Sequence, residues 1–96
     1  AEIVTFRLVD GTDPAAFLEA AADLTPFLRT SGAVLSRALS VDADGLWTDF
    51  ITWTSMEAAQ RTAEALMVRP EAQPFLSAIN PEGMTLRHAP ILMNMD

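Results

Sequence analysis

The sequence predicts an α+β fold, an antiparallel four-stranded sheet with two helices on one face. Three observations carry this. Stretches rich in β-branched and aromatic residues recur at Ile3–Val9, Val34–Val41, Leu46–Thr54 and Met84–Met95. Apolar residues at helical spacing fill the intervals after the first and third stretches. The second and third stretches are separated by Asp42-Ala43-Asp44-Gly45, a hairpin signal because Asp and Gly tolerate positive φ.

Each element has a local cause. The first strand ends at Gly11-Thr12-Asp13. Asp13 before Pro14 starts a helix: a side-chain cap, then a proline where its missing N–H costs nothing. Phe17, Leu18, Ala21, Leu24 and Leu28 form the apolar stripe of this helix, and Pro26 must kink or restart it. Ser31-Gly32 ends it. The third strand carries both tryptophans. Ser55 then caps a second long helix, with Glu57 in the first turn, where the helix dipole favours an acid. Ala59, Ala63, Leu66 and Met67 form its stripe, and Pro70 ends it. A short helix is expected around Pro74–Ile79, then a turn at Pro81-Glu82-Gly83. The last strand runs over Met84–Met95, interrupted by Pro90, which suits an edge strand.

The order βαββαβ is that of a ferredoxin-like fold. Two helices cover only one sheet face, so the other should alternate cleanly if water covers it. The expected strands place Trp47, Ile51 and Trp53 on one side and Phe50 on the other. The last strand, too, has apolar residues pointing both ways. Both faces thus read as at least half apolar, and a homodimer through the open sheet face is the economical cover. One domain over residues 1–96 accounts for the whole sequence, with no repeat or linker.

Composition excludes several classes of function. Thirteen acids against six bases give a net charge of −7, which disfavours nucleic acid and anionic membrane surfaces as partners. Half of the 96 residues are hydrophobic, rich for so short a chain. No apolar run is long enough to span a membrane. No signal segment begins the chain, and there is no cysteine, so a cytoplasmic setting without disulfides is expected. Phosphate loops, dinucleotide fingerprints and serine-nucleophile elbows are absent. One histidine without a carboxylate cluster argues against a metal site.

Leu46-Trp47-Thr48-Asp49-Phe50-Ile51-Thr52-Trp53-Thr54-Ser55, followed by Glu57-Ala58-Ala59, resembles the strand-to-helix signature of antibiotic biosynthesis monooxygenase-like proteins. Pro70-Glu71-Ala72-Gln73-Pro74-Phe75-Leu76 resembles their second-helix end, and Met84-Thr85-Leu86-Arg87-His88 the last strand of some members. The resemblance covers nearly the whole chain through short motifs. It implies a dimeric α/β barrel, with two sheets face to face, helices outside, and a pocket between sheet and helices of each subunit. Members include cofactor-free oxygenases of aromatic polyketides, haem-degrading enzymes and isomerases, and a shared fold does not transfer an activity. The haem-degrading branch places a histidine ligand in the second helix region. Phe75, Leu76 and Ser77 stand there in this sequence.

Five residues are candidates for chemistry. His88 is the only histidine, the residue type best suited to moving protons near neutral pH. In a cofactor-free oxygenase it would take a phenolic proton, and the electron-rich anion would then reduce dioxygen. Its alternative role is that of an ordinary edge-strand histidine. Asp49, in an apolar central strand, must find a partner. It is either an acid/base or polar anchor, or half of a structural ion pair. Arg37, on the neighbouring strand, is the obvious partner or an anchor for an anionic ligand. An even-numbered hairpin loop puts the two on opposite faces, and an odd, bulged loop puts them on the same face. Trp53 and Trp47 are either pocket walls for an aromatic ligand or core residues.

These residues lead to a first expectation of a monooxygenase-like enzyme without metal, flavin or haem, acting on a small aromatic or quinone-like molecule. The alternative is a non-catalytic dimeric barrel that binds a small metabolite. A third reading, a purely structural oligomerisation module, requires that no ligand-sized cavity exist.

Overall fold

The structure, a computed structural model, describes residues 1–95. The elements are β1 (Glu2–Leu8), α1 (Pro14–Ala22), α2 (Thr25–Ser31), β2 (Val34–Val41), β3 (Trp47–Trp53), α3 (Met56–Met67), α4 (Gln73–Ala78) and β4 (Ile79–His88). A 3₁₀ turn at Pro70–Ala72 leads into α4. The strands form one antiparallel sheet in the order β2-β3-β1-β4, the ferredoxin-like arrangement.

The caps act as expected. Asp13 Oδ1 accepts from the Ala15 N–H at 3.0 Å, and Ser55 Oγ from the Ala58 N–H at 3.0 Å. Pro26 restarts the first helix rather than kinking it. The helix breaks at Asp23-Leu24 and resumes as α2, because the proline ring cannot follow an uninterrupted turn. Gly32, at φ 68°, closes α2 in the left-handed conformation that glycine adopts without strain.

The last strand differs from expectation at both ends. It begins at Ile79, and the Pro81-Glu82-Gly83 turn is a bulge inside it, between the Arg7–Asn80 and Thr5–Thr85 pairs. It stops at His88. The Ala89 N–H makes a last bond to Ala1 O at 2.9 Å, and Pro90 has no N–H to continue the ladder. Ile91, Leu92, Met93 and Met95 therefore lie beyond the sheet, with Leu92 and Met93 almost fully exposed.

This shortening changes the open face. That face carries Thr5, Thr48, Thr52, Thr85, Ser36 and Ser40, and the Thr5 and Thr85 hydroxyls meet across the strands. Its apolar side chains are Ile3, Ala38 and Phe50. The expectation that both faces are half apolar is thus corrected: the open face is mainly hydroxylated, because the apolar C-terminal residues assigned to it are not in the sheet.

The core lies between the other face and the helices. Phe17 of α1 meets Trp47 and Phe75 at ring-centroid distances of 5.0 Å each, and Phe6 at 5.8 Å. Leu24 and Leu28 extend the core along α2. No helix of the described residues is long and apolar enough to cross a membrane.

Candidate functional site

The hairpin loop settles the face of the two charged candidates. The Asp42 N–H donates to Leu46 O at 3.0 Å, leaving three residues in the turn, with Gly45 at φ 81°. The Asp42 carboxylate clamps the turn by accepting from the Asp44 and Leu46 N–H groups. This is the odd count, a bulged turn with a left-handed glycine. It pairs Leu39 with Asp49 and Arg37 with Ile51, so both charged side chains point toward the helices.

They meet there as a two-pronged ion pair. The Arg37 Nε–H donates to Asp49 Oδ1 at 3.0 Å and its Nη2–H to Oδ2 at 2.8 Å. Asp49 is 5% exposed. The Arg37 guanidinium also lies 5.2 Å from the centre of the Phe75 ring. Such planar bidentate geometry is the strongest form of this interaction. It uses both carboxylate oxygens, so Asp49 serves as an anchor for Arg37.

Above the pair is a cavity of about 370 Å³, between the sheet and α3, α2 and α4. Val4, Phe6, Ile51 and Leu66 supply apolar wall, with Arg37 and Asp49 on the sheet side and Trp53 and Glu2 also lining it. It exists because α3 packs closely only through Ala58, Ala59 and Thr62. The rest of the expected stripe, Ala63, Leu66 and Met67, walls the cavity instead of filling the core. Met84 and Leu86 of β4 line its open side and remain about half exposed, since no helix reaches over that edge.

The remaining candidates divide. Trp53 lines the cavity. Trp47 is buried in the aromatic core, stacked against Phe6, and is not among the lining residues. His88 lies outside the large cavity and lines a shallower one of about 210 Å³, together with Trp53, Ser55 and Met56. Its Nε2 is 3.6 Å from Glu2 Oε2. Glu2 is the residue that sequence reasoning missed. Its Oε2 accepts from the Trp53 indole N–H at 2.7 Å. The alternation Glu2, Val4, Phe6, Leu8 was the available signal, since it puts the carboxylate on the helix-facing side of β1.

A four-stranded antiparallel sheet in the order β2-β3-β1-β4 with its helices on one side defines a ferredoxin-like α+β fold, and this chain has that fold. Among solved structures it is similar to SnoaB, a cofactor-independent oxygenase from Streptomyces nogalater (16% identity, TM-score 0.71, covering 98% of this chain and 95% of that one). It is also similar to a point variant of MhuD with two manganese protoporphyrin IX bound per active site (19%, TM-score 0.72, 99% and 96%). A third similar structure is described as an antibiotic biosynthesis monooxygenase (15%, TM-score 0.60, 94% and 97%). No family model matches the sequence, and no curated protein matches it.

The cavity's donor set does not fit a haem. Its lining has no histidine, cysteine or tyrosine; the Asp49 carboxylate is held by Arg37 and the Glu2 carboxylate by Trp53, and a thioether of Met67 or Met84 would have no histidine opposite it. Phe75, in the helix region where the haem-degrading branch has its ligand, is a buried core residue. The described residues contain no group of three or more His, Cys, Asp or Glu side chains that could hold a metal ion.

Proposed function

We propose that the chain is a cofactor-independent monooxygenase-like protein that acts on a small aromatic or quinone-like molecule. The observation that carries the reading is the cavity: about 370 Å³, largely apolar, with one buried cationic group beside it. That is the size and lining of a small-molecule site. A flat apolar ring system would lie against Val4, Ile51 and Trp53. An oxygen of the ligand, as phenolate or enolate, would take the Arg37 donors that Asp49 leaves free. Arg37 would thereby favour the anionic form of the ligand.

The chemistry balances without a resident cofactor. Loss of one proton makes an electron-rich carbanion or phenolate. This anion gives one electron to dioxygen, and the resulting radical pair combines at carbon. The hydroperoxide then loses water, so a CH₂ plus O₂ becomes a C=O plus H₂O. The chain contributes a largely apolar cavity, the Arg37 anchor and a proton outlet. The outlet would run by way of Glu2, which lines the cavity, to His88 outside it. One observation favours the alternative of binding without turnover: both oxygens of the most buried carboxylate are occupied by Arg37.

Two probes decide between these. Lawsone, an anionic hydroxynaphthoquinone, should quench tryptophan fluorescence saturably. An Arg37→Met, Asp49→Leu double variant should bind it about tenfold or more weakly, the worth of a charged hydrogen bond. Dithranol, a dihydroxyanthrone, should be converted to its quinone with oxygen uptake above the protein-free rate. Lawsone binding without dithranol turnover supports the non-catalytic reading. Absence of both sinks the proposal.

We further propose that the chain pairs with a second copy through the open face, in the cytoplasm. Support comes from Phe50, Ile3 and Ala38 on a face that no element covers, among hydroxyls able to bond across a seam. Light scattering at micromolar concentration should give about twice the chain mass, and Phe50→Lys should return it to the monomer mass. A wild-type monomer would refute the pairing.

A further inference from the structure

The cavity of about 370 Å³ and the depression of about 210 Å³ beside His88 share Trp53 as a lining residue. The indole therefore forms part of the wall of both. It is held by one directed contact, its Nε1–H donating to Glu2 Oε2 at 2.7 Å. Glu2 is in turn held by its place in the sheet, paired with Ile51 on one side and His88 on the other. The Glu2 side chain is only 12% exposed, so water competes weakly for this bond.

We propose that the Trp53–Glu2 contact is a partition that sets the length of the ligand the cavity accepts. This rests on the reading of the cavity as a small-molecule site and extends it to substrate class. With the partition closed, the site takes molecules of two or three fused rings. With it open, the space lined by Ser55, Met56 and Ala59 adds about 210 Å³ at the His88 end, and a longer ring system fits. The selectivity arises because a rigid indole cannot be compressed: an over-long ligand must break the Glu2 bond and turn the ring aside.

The test uses one ligand-free and one ligand-based measurement. The chain has two tryptophans, so nuclear magnetic resonance shows two indole N–H signals. Hydrogen exchange of the Trp53 indole should be roughly tenfold faster in Glu2→Ala than in wild type, while that of Trp47 stays unchanged. Equal Trp53 rates in the two proteins overturn the partition. For the ligand arm, the probes are lawsone and a linear hydroxytetracenequinone of four rings. Glu2→Ala and Trp53→Phe should each raise the ratio of four-ring to lawsone affinity about tenfold over wild type. Trp53→Phe keeps an aromatic wall, so a folding defect in Glu2→Ala does not remove the test. A ratio in wild type as high as in the variants overturns the length limit. Failure of lawsone to bind any of the three proteins overturns the cavity reading beneath it, and the exchange rates still decide the partition by themselves.

Discussion

Replacing Asp49 by alanine is expected to destabilise the fold by about 3 kcal/mol, the lower end of the cost of breaking a buried pair. The lower end applies because Arg37 also borders a second cavity, of about 350 Å³, that can admit water. Arg37 is the reason the cost is large at all. Its side chain is 16% exposed, and without Asp49 it keeps only a long contact to Ala21 O at 3.4 Å and the face of Phe75. A buried guanidinium so poorly partnered is costly. Removing both charges is a different matter. The Arg37→Met, Asp49→Leu double variant should recover most of the stability, since apolar side chains of similar volume fill the same space. Urea unfolding followed by tryptophan fluorescence measures each. A single variant that loses under about 1 kcal/mol would show that Arg37 rehydrates through the neighbouring cavities. The double variant separates fold from function, because it keeps the sheet and loses the anchor for a ligand oxygen.

Phe17→Ala should cost about 3–5 kcal/mol, the range for truncating a buried aromatic. Phe17 is 2% exposed and touches rings from three other elements: Phe6 of β1, Trp47 of β3 and Phe75 of α4. It is the side chain through which α1 joins both the sheet and α4. Its loss removes apolar burial and three aromatic contacts, and leaves a void that several rigid rings cannot close around. The same urea experiment reads the effect. A loss below about 2 kcal/mol would mean that α1 moves inward to fill the space. Phe75 also lines the larger cavity, so on the proposed reading lawsone affinity should fall in this variant even under conditions where it remains folded.

The candidate site was legible in kinds of residue more than in positions. Arg37 and Asp49 are visible as charges in apolar strands, yet whether they meet depends on three turn residues and one bond between Asp42 and Leu46. Trp47 and Trp53 share a strand face by alternation and have different surroundings: one is enclosed by Phe6 and Phe17, the other stands where α3 leaves a gap. Periodicity gives a side chain's direction, and only the neighbouring layer determines what it meets. His88 is conspicuous as the single histidine, and it lines the smaller depression and not the larger cavity. Glu2 drew no attention because one acid at the start of a strand reads as solvated surface.

The four strands and two helical stretches in the order βαββαβ, the caps at Asp13 and Ser55 and an interruption at Pro26, as a kink or a restart, follow from the sequence by itself. Each depends on interactions within a few residues, or on a period that one face of an element displays. The meeting of Arg37 with Asp49 turned on the conformation of one hairpin, and the bulge at Pro81–Gly83, the end of β4 before Pro90 and the cavity beneath α3 were decided by tertiary structure alone. These depend on register and on how completely one layer covers another, and both are set by contacts between residues far apart in the chain.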